Sequence, residues 1–274
     1  MLKNYDIFIV GNDLFELMLD PYMQYSCGYW KNATNLEEAQ LAKLDLIARK
    51  MQLKPGMEVL DIGCGFGGLA KYLAKFHGVS VTGCTISKEQ LEFGEKLCEG
   101  LPVNLVLCDY QKFTTTKKFD RIVSVGFMEH VGKYNYRTLY KIANRCMKPD
   151  GMFLLHTMGT NNTFMPRNLK WIHQYIFPNG WFPKLEELIT YAEDLFVVED
   201  LHNFGAYYYP TLAAWERNFD KGWPQLESKY GDNFYRTWKV YLQMSQATLK
   251  SRNVQVYQIL YTKKGILGGY DSVR

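Results

Sequence analysis

Alternate glycines at positions 63, 65 and 67 of the stretch DIGCGFGG (61–68) follow an apolar run. Glycine has no Cβ, so a turn built from Gly63, Gly65 and Gly67 lets the backbone approach a ligand closely. Open α/β sheets bind ligands at such turns, at the carboxyl ends of their strands. The spacing is GxGxGG, whereas the phosphate-binding turn of dinucleotide enzymes reads GxGxxG. The stretch predicts a ligand site beginning at Asp61, and an ordinary tight turn is the structural alternative.

A second acidic residue, Asp109, ends the apolar run VNLVLCD (103–109). Its carboxylate could accept a hydrogen bond from an adenine amino group. The ring of Tyr110 beside it could stack on the base. Aspartate also caps turns, because its oxygens accept hydrogen bonds from backbone amides. Both roles stay open for Asp109 at this point.

Neutral polar residues occupy the end of another run, in VTGCTISKEQ (81–90). A carboxylate at this position often holds ribose hydroxyls in nucleotide-binding α/β enzymes, but this sequence has no acid before Glu89. Thr85, Ser87 and Gln90 offer neutral hydrogen-bonding groups instead. We expect these three residues to contact the ligand.

Short apolar runs alternate with segments of helical spacing across the first part of the chain. This alternation predicts a parallel sheet with helices on both faces. Two later runs, 196–205 and 253–263, predict a closing antiparallel pair, with helices across 210–250 between them. The earlier predicted strands are 57–63, 79–85, 103–109, 119–126 and 152–158, and the earlier predicted helices are 63–76, 88–98 and about 135–147.

The glycine turn and the strand order together favour S-adenosylmethionine as the ligand, with a dinucleotide as the alternative. The absence of internal repeats or linkers predicts a single domain over 1–274. Within it we expect a helical N-terminal segment at about 1–52 and an insertion at about 159–195.

Composition indicates a globular protein with one large core. The chain has 274 residues, of which 47% are hydrophobic and 22% charged, and its formal net charge is +4. The longest apolar runs are far shorter than the roughly 20 residues that span a bilayer, and no signal-peptide pattern opens the chain. Basic residues are scattered, which argues against a nucleic-acid partner. We expect a cytoplasmic protein.

The six cysteines form no CxxC pair and no cysteine-histidine group with zinc spacing. This pattern argues against a disulfide framework and a structural metal, so we expect reduced thiols and no metal site. Aromatic residues make up 15% of the chain, and several cluster at 22–30, 171–182 and 204–209. Ordinary core packing is the simplest explanation for most of them.

Besides the glycine turn and VTGCTISKEQ, four further stretches form a recognisable set: YSCGYW (25–30), FDRIVSVGFMEHVG (119–132), FLLHTMG (153–159) and IFPNG (176–180). With these motifs the sequence resembles the cyclopropane-fatty-acyl-phospholipid synthase family, which has the mycolic acid cyclopropane synthases as relatives. The resemblance runs from about residue 11 to residue 263. It implies a class I methyltransferase (Rossmann-like) fold with a seven-stranded sheet and a substrate-covering insertion. It also implies that a methylene passes from S-adenosylmethionine to the cis double bond of an unsaturated phospholipid acyl chain.

The resemblance also implies a bound bicarbonate ion as the base whose action closes the ring. Tyr25 and Ser26 are implied to reach the methionine carboxylate of the cofactor. Without the resemblance, a buried inert thiol stays an alternative for Cys27, and His156 is interpreted as a core histidine. The residues implied to hold bicarbonate are Cys27, Glu129, His156 and Tyr208.

Two departures from the family and one uncertain match qualify these assignments. Tyr208 is flanked by Tyr207 and Tyr209, so a shift of one residue would move its role. The phospholipid-acting members usually carry an N-terminal lipid-binding domain, which we predict to be absent here. The family motif HYDxGND reads NYDIFIVGND (4–13), with Asn4 in place of histidine.

Two other functions stay open at this stage. One is an S-adenosylmethionine methyltransferase that acts on another lipid or on a small amine. The other is a noncatalytic remnant that binds the cofactor without turnover. For the favoured function we expect phospholipid acyl chains as partners, reached from a peripheral position at the inner membrane surface. The sequence also leaves a homo-oligomer open.

Overall fold

The computed structural model describes residues 10–161, 171–172, 174–178 and 180–274. Asn4 and Asn179 lie outside these ranges, so the first part of the altered family motif and part of IFPNG are not described. The fold contains a seven-stranded sheet, which confirms the predicted α/β class. Its strands are β1 (Glu58–Ile62), β2 (Ser80–Thr85), β3 (Val103–Leu107), β4 (Phe119–Val125), β5 (Met147–Thr160), β6 (Val197–Asn203) and β7 (Val254–Thr262).

The first five strands are parallel, and β7 runs against both of its neighbours. The spatial order is β3-β2-β1-β4-β5-β7-β6. β7 pairs antiparallel with β5 on one side and with β6 on the other, and all of its residues are buried. This order confirms the predicted antiparallel closing pair. It also brings the carboxyl ends of β1, β2 and β4 side by side, where ligands bind in such sheets.

Helices cover the two faces of the sheet because alternate strand residues point to opposite sides. Phe153 and Leu155 of β5 share an apolar cluster with Tyr140, whereas Leu154 between them belongs to a second cluster with Leu73. The described helices are α1 (Asn12–Met18), α2 (Leu36–Lys50), α3 (Gly68–His77), α4 (Lys88–Leu97), α5 (Met128–Val131), α6 (Tyr136–Cys146), α7 (Leu185–Thr190), α8 (Tyr208–Gly222) and α9 (Glu227–Lys250). A third cluster joins α1, α8 and α9.

β5 begins earlier than the sequence predicts. Met147 pairs with Phe119 and Met152 pairs with Arg121, so the intervening residues KPDG bulge out of the ladder with β4. A stretch with proline, aspartate and glycine is typical of a loop when only its sequence is considered. In the structure these four residues still belong to β5, because the strand pairs with β4 both before and after the bulge.

The segment YSCGYW is held between α2 and α8 by hydrogen bonds. From α2, Gln40 donates its amide to the Ser26 carbonyl at 2.9 Å. From α8, Thr211 Oγ1 accepts hydrogen bonds from Gly28 N at 3.1 Å and from Trp30 Nε1 at 2.8 Å. We call these contacts the loop clamp. They satisfy buried polar groups of an irregular segment, which fixes its position at the carboxyl edge of the sheet.

Within the described ranges, no helix is long and apolar enough to cross a membrane. The longest helix, α9, has 24 residues and is kinked at Gly231, where φ is +72°. All six cysteines lie in the described ranges and are free thiols.

Candidate active site

The glycine turn joins β1 to α3 and borders a cavity at the carboxyl edge of the sheet. At Gly65, where φ is +53°, an added Cβ would meet no atom within 4 Å. At Gly63, where φ is +83°, it would lie 2.4 Å from the Phe127 ring. Gly63 therefore permits close packing, while Gly65 leaves open space for a ligand. We call this space the glycine-turn cavity, and its wall includes Tyr25, Ser26, Asp61, Gly63, Gly65, Thr85, Ser87 and Gln90.

The neutral polar residues after β2 form one hydrogen-bonded group. Thr85 Oγ1 donates to Gln90 Oε1 at 3.1 Å, and Ser87 Oγ caps α4 by accepting from Gln90 N at 3.2 Å. All three residues line the glycine-turn cavity, as expected for ligand-binding groups. Their contact with a ribose stays a prediction.

Asp61 lies on β1 with only 2% of its surface exposed, and it lines the same cavity. Burial raises its pKa to about 7, and the nearby Lys43 cation acts in the opposite direction. A buried carboxylate is stabilised when a ligand supplies a cation or a hydrogen-bond donor. Asp61 is therefore suited to a positively charged part of a ligand.

Asp109 and Tyr110 are the predicted site residues that border neither of the cavities described here. Asp109 Oδ1 accepts a hydrogen bond from Gln111 N at 2.9 Å, which caps a short turn after β3. The Tyr110 ring packs edge-on against Phe127 at 5.3 Å. The structural role of Asp109 is thus visible, while the adenine contact stays a prediction.

A second cavity adjoins the first and shares part of its wall. We call it the Glu129 cavity. All four predicted catalytic residues line it: Cys27, Glu129, His156 and Tyr208. The rest of its wall is largely apolar and includes Met158, Ile172, Phe177, Phe182, Leu212 and Leu249. The four predicted catalytic residues therefore line a cavity whose remaining wall suits a hydrocarbon chain.

Glu129 presents one carboxylate oxygen that has no hydrogen-bond partner among the residues the structure describes. Oε1 accepts a hydrogen bond from Met158 N at 2.6 Å, whereas the buried Oε2 has none within the described residues. Burial raises the Glu129 pKa to about 7. Because buried polar atoms normally have partners, Oε2 indicates a place for a polar ligand. A pKa near neutrality also suits proton transfer.

His156 is oriented by a residue from the neighbouring strand. Gln258 Nε2 on β7 lies 3.2 Å from His156 Nδ1. The amide donates this hydrogen bond, so the neutral imidazole carries its proton on Nε2. Burial holds the His156 pKa well below its usual range, and the Lys43 and Lys50 cations act in the same direction. His156 is therefore a neutral hydrogen-bond donor.

Cys27 is fully buried, and its thiol donates to the Gly28 carbonyl at 3.3 Å. Burial raises the Cys27 pKa far above its usual value. The thiol therefore stays protonated, which excludes a thiolate nucleophile.

Tyr208 begins α8 and lines the Glu129 cavity. Its neighbours have other contacts: Tyr207 packs edge-on against Tyr29 at 5.4 Å, and the Lys250 ammonium lies 4.8 Å from the centre of the Tyr209 ring. Among the three tyrosines, the geometry favours the predicted Tyr208.

Both cavities share part of their walls, namely Tyr25, Ser26, Gly126, His130 and Phe177. His130 and Tyr241 were not assigned a role from the sequence. The His130 ring lies 5.7 Å from Phe177, and Tyr241 OH lies 2.7 Å from Tyr25 OH. The position of His130 directly after Glu129 could have indicated a site residue, whereas Tyr241 is one of many aromatic residues on α9.

The described residues contain no cluster of acidic, cysteine or histidine side chains that could hold a metal ion.

Comparison with known proteins identifies the family of the chain. The family model described as mycolic acid cyclopropane synthetase matches residues 2–259. The chain belongs to the cyclopropane synthase family. It is 49% identical over 261 residues to the cyclopropane-fatty-acyl-phospholipid synthase of Escherichia coli K12, an alignment that covers 95% of this chain and 67% of that protein.

Solved cyclopropane synthases share its fold. The structure of MmaA2 from Mycobacterium tuberculosis matches with a TM-score of 0.89 and 29% identity, covering 93% of this chain and 95% of that one. The mycolic acid cyclopropane synthase CmaA1, complexed with SAH and CTAB, matches with a TM-score of 0.87 and 30% identity, covering 92% and 94%. These relatives confirm the predicted family, the class I methyltransferase fold and the dependence on S-adenosylmethionine.

Replacing Gly65 with valine is expected to weaken cofactor binding. The new side chain would occupy the open space at the glycine turn, and overpacking of this kind typically costs about 1–3 kcal/mol. We expect the Kd for S-adenosylhomocysteine, measured by calorimetry, to rise about 10- to 100-fold.

Gly100→Val is the matched control, because Gly100 also has positive φ (+76°) and open space around its Cβ position but borders neither cavity. It carries a comparable backbone strain without entering the site. Equal affinities of a folded Gly65→Val protein and the wild type would show that the ligand lies elsewhere.

Glu129 is expected to make stability fall with rising pH. Its folded-state pKa of about 7 lies above the usual value of 4.5, so the folded protein binds more protons between these two values. The free energy of unfolding therefore decreases as pH rises through this range, by up to about 3 kcal/mol from this group. Denaturant unfolding at pH 5 and pH 8 should show that Glu129→Gln gains stability relative to wild type at the higher pH. A difference independent of pH would contradict the raised pKa.

Proposed function

We propose that this protein transfers a methylene from S-adenosylmethionine to a cis double bond in an unsaturated phospholipid acyl chain. The observation that carries the proposal is the junction between the two cavities. The glycine-turn cavity suits the cofactor, and the Glu129 cavity has an apolar wall that suits a hydrocarbon chain. The identity with the Escherichia coli phospholipid enzyme supports this substrate class.

The shared wall supports alignment of the two reactants. S-adenosylmethionine, when bound, supplies an activated methyl group. An alkene is a weak nucleophile, so proximity and orientation must provide much of the catalysis. Tyr25 and Ser26 line both cavities, and the loop clamp holds them in place. These residues separate the polar part of the cofactor from the apolar substrate while leaving the cavities connected.

Aromatic side chains in the Glu129 cavity can stabilise positive charge that develops on the acyl chain. Phe177 and Tyr208 line this cavity together with Tyr25 and Tyr241. An aromatic face stabilises a nearby cation by about 0.5–2 kcal/mol when water is excluded. Burial raises the pKa of Tyr208 well above its usual value. The ring therefore stays neutral and does not attack the chain as a phenolate.

The polar end of the Glu129 cavity fits a bicarbonate ion. Glu129 Oε2 lacks a partner within the described residues, and protonated Glu129 can donate a hydrogen bond to an anion. His156 carries a proton on Nε2, and the Tyr208 hydroxyl lines the same space. Bicarbonate would supply a proton-accepting oxygen there. A protonated Glu129 also avoids the repulsion between two neighbouring anions.

Two exposed aromatic residues, which we call the rim, are suited to contact with a phospholipid surface. Tyr134 is 98% exposed and Trp181 is 41% exposed, although both have large rings. Trp181 N donates to the Glu129 carbonyl at 2.9 Å, so the tryptophan lies directly behind the cavity wall. Aromatic side chains favour the interface between water and lipid. We propose that this rim contacts the inner membrane surface.

The function is tested by mass spectrometry of lipids incubated with the protein and S-adenosylmethionine. The wild type should yield acyl chains that are heavier by one CH₂ and have lost one double bond. Glu129→Gln keeps the shape of the side chain and a hydrogen-bond donor but cannot exchange a proton with bicarbonate. We expect turnover to fall about 10²- to 10⁴-fold while the Kd for S-adenosylhomocysteine changes little.

Bicarbonate depletion separates the role of the ion from that of Glu129. Added bicarbonate should restore the rate of depleted wild-type protein and have much less effect on Glu129→Gln. The bicarbonate site would be refuted if the depleted wild type and Glu129→Gln both reacted as fast as the undepleted wild type. Methylated chains without a ring would instead refute cyclopropanation.

Membrane contact is tested by vesicle sedimentation with Tyr134→Ala/Trp181→Ala. Binding of the wild type to anionic vesicles should weaken as salt rises, with about 1 kcal/mol for each basic residue near the surface. The double variant should bind several-fold more weakly because it lacks the interfacial rings. Phe76→Ala serves as control, since Phe76 is 55% exposed but lies on α3, which packs on the other face of the sheet from α6. Equal losses in both proteins would argue against the rim.

A further inference from the structure

Lys43 is a buried cation directed at the wall shared by the two cavities. It lies on α2 with no exposed surface. Its ammonium donates to Ser26 Oγ at 3.1 Å and also to Gln24 Oε1. Both acceptors are neutral, and both residues line the glycine-turn cavity. The positive charge therefore lies directly behind a ligand-facing surface.

Within the described residues, Lys43 forms no ion pair. The contrast is Lys50 on the same helix, which is also buried but pairs with Asp200 at 3.1 Å. The carboxylates of Asp20 and Asp61 act on Lys43 electrostatically but are not paired with it. A buried charge is costly unless it is paired. An anionic group of a ligand would supply the missing opposite charge for Lys43.

The directions of the hydrogen bonds show how the Lys43 cation can act on a ligand in the cavity through Ser26. Ser26 Oγ accepts a proton from Lys43, so its own hydroxyl proton is available to another acceptor. Gln24 is already engaged, since its Oε1 accepts from Lys43 and its Nε2 donates to the Tyr22 carbonyl at 3.0 Å. Ser26 is therefore the donor that faces the cavity. A donor backed by a cation favours an anionic acceptor.

The opposite charge lies on the same cavity wall. Asp61 lines the glycine-turn cavity, and it interacts with Lys43 electrostatically. Burial lowers the Lys43 pKa to about 8, while Asp20, Cys27 and Asp61 counteract this effect. A carboxylate and a cation-backed hydroxyl that line one cavity match the ammonium and carboxylate of an α-amino acid.

We propose that Lys43 is a positioning residue that makes the site selective for the amino-acid end of the cofactor, by backing Ser26 as a donor to its carboxylate. This inference rests on the proposed function, because it takes S-adenosylmethionine as the cofactor. It adds a residue that does not itself touch the ligand. The competing explanation is that Lys43 only supports the loop that contains Ser26.

The test compares S-adenosylhomocysteine with 5′-methylthioadenosine, which has the adenosine and thioether but no amino-acid end. Lys43→Met keeps the length of the side chain and removes its charge. We expect the Kd for S-adenosylhomocysteine, measured by calorimetry, to rise about 10- to 100-fold, the usual effect of losing a charge-assisted hydrogen bond. The Kd for 5′-methylthioadenosine should change less than about twofold.

Gln40→Met is the matched control. Gln40 is fully buried on the same helix and donates to the Ser26 carbonyl, but it is neutral. Its replacement disturbs the same loop without removing a charge, so we expect it to cost less affinity for S-adenosylhomocysteine than Lys43→Met does. Equal losses in the two variants would overturn the inference in favour of loop support. An equal effect of Lys43→Met on both ligands, or no effect, would overturn the inference and leave the proposed function intact.

Ser26→Ala keeps the test decisive if Lys43→Met does not fold. It retains the lysine but removes the donor, so S-adenosylhomocysteine should again lose affinity selectively. Equal affinities of this variant and the wild type for S-adenosylhomocysteine would also overturn the inference. Failure of the wild type to bind S-adenosylhomocysteine at all would overturn both the inference and the proposed function.

Discussion

The loop clamp determines the arrangement of both cavities. Gln40 and Thr211 hold YSCGYW from two helices that are distant in sequence, and together they satisfy the polar groups of a buried irregular segment. Tyr25 and Ser26 within this segment form part of both cavity walls. The separation between a polar cofactor space and an apolar substrate space therefore depends on a few hydrogen bonds rather than on the sheet itself.

Buried ionisable groups surround this wall, and their pKa values converge towards neutrality. Asp61 and Glu129 are raised to about 7, and Lys43 is lowered to about 8. Burial causes all three shifts because it disfavours the charged form of each group. Such groups reduce the stability of the ligand-free protein at neutral pH. Binding of a zwitterionic cofactor and a small anion can offset this cost, so the site links folding to ligand occupancy.

The sequence predicted those features that depend on local physics. The glycine turn at Gly65 and the alternation of strands and helices follow from short-range preferences. The motif resemblance located Glu129 and His156, and the structure places both at one cavity. The early start of β5 was missed because its bulge has the composition of a loop.

Other features depend on contacts between distant parts of the chain. Lys43 meets Ser26 across 17 residues, and Gln258 meets His156 across 102 residues. No local pattern reveals such pairs, since each partner alone resembles an ordinary surface or strand residue. The assignment of Tyr208 rather than its neighbours likewise needed the direction of each ring at the start of α8.

The position of β7 has a consequence for biosynthesis. This strand is the last of the seven to be translated, yet it lies between β5 and β6 and also supplies the partner of His156. During synthesis, β6 has no neighbour to pair with until residues 254–262 have left the ribosome. The nascent chain can assemble its cofactor half first, because β1 to β4 pair among themselves. In a ribosome-bound intermediate these four strands would thus be paired before Gln258 is available to orient the imidazole.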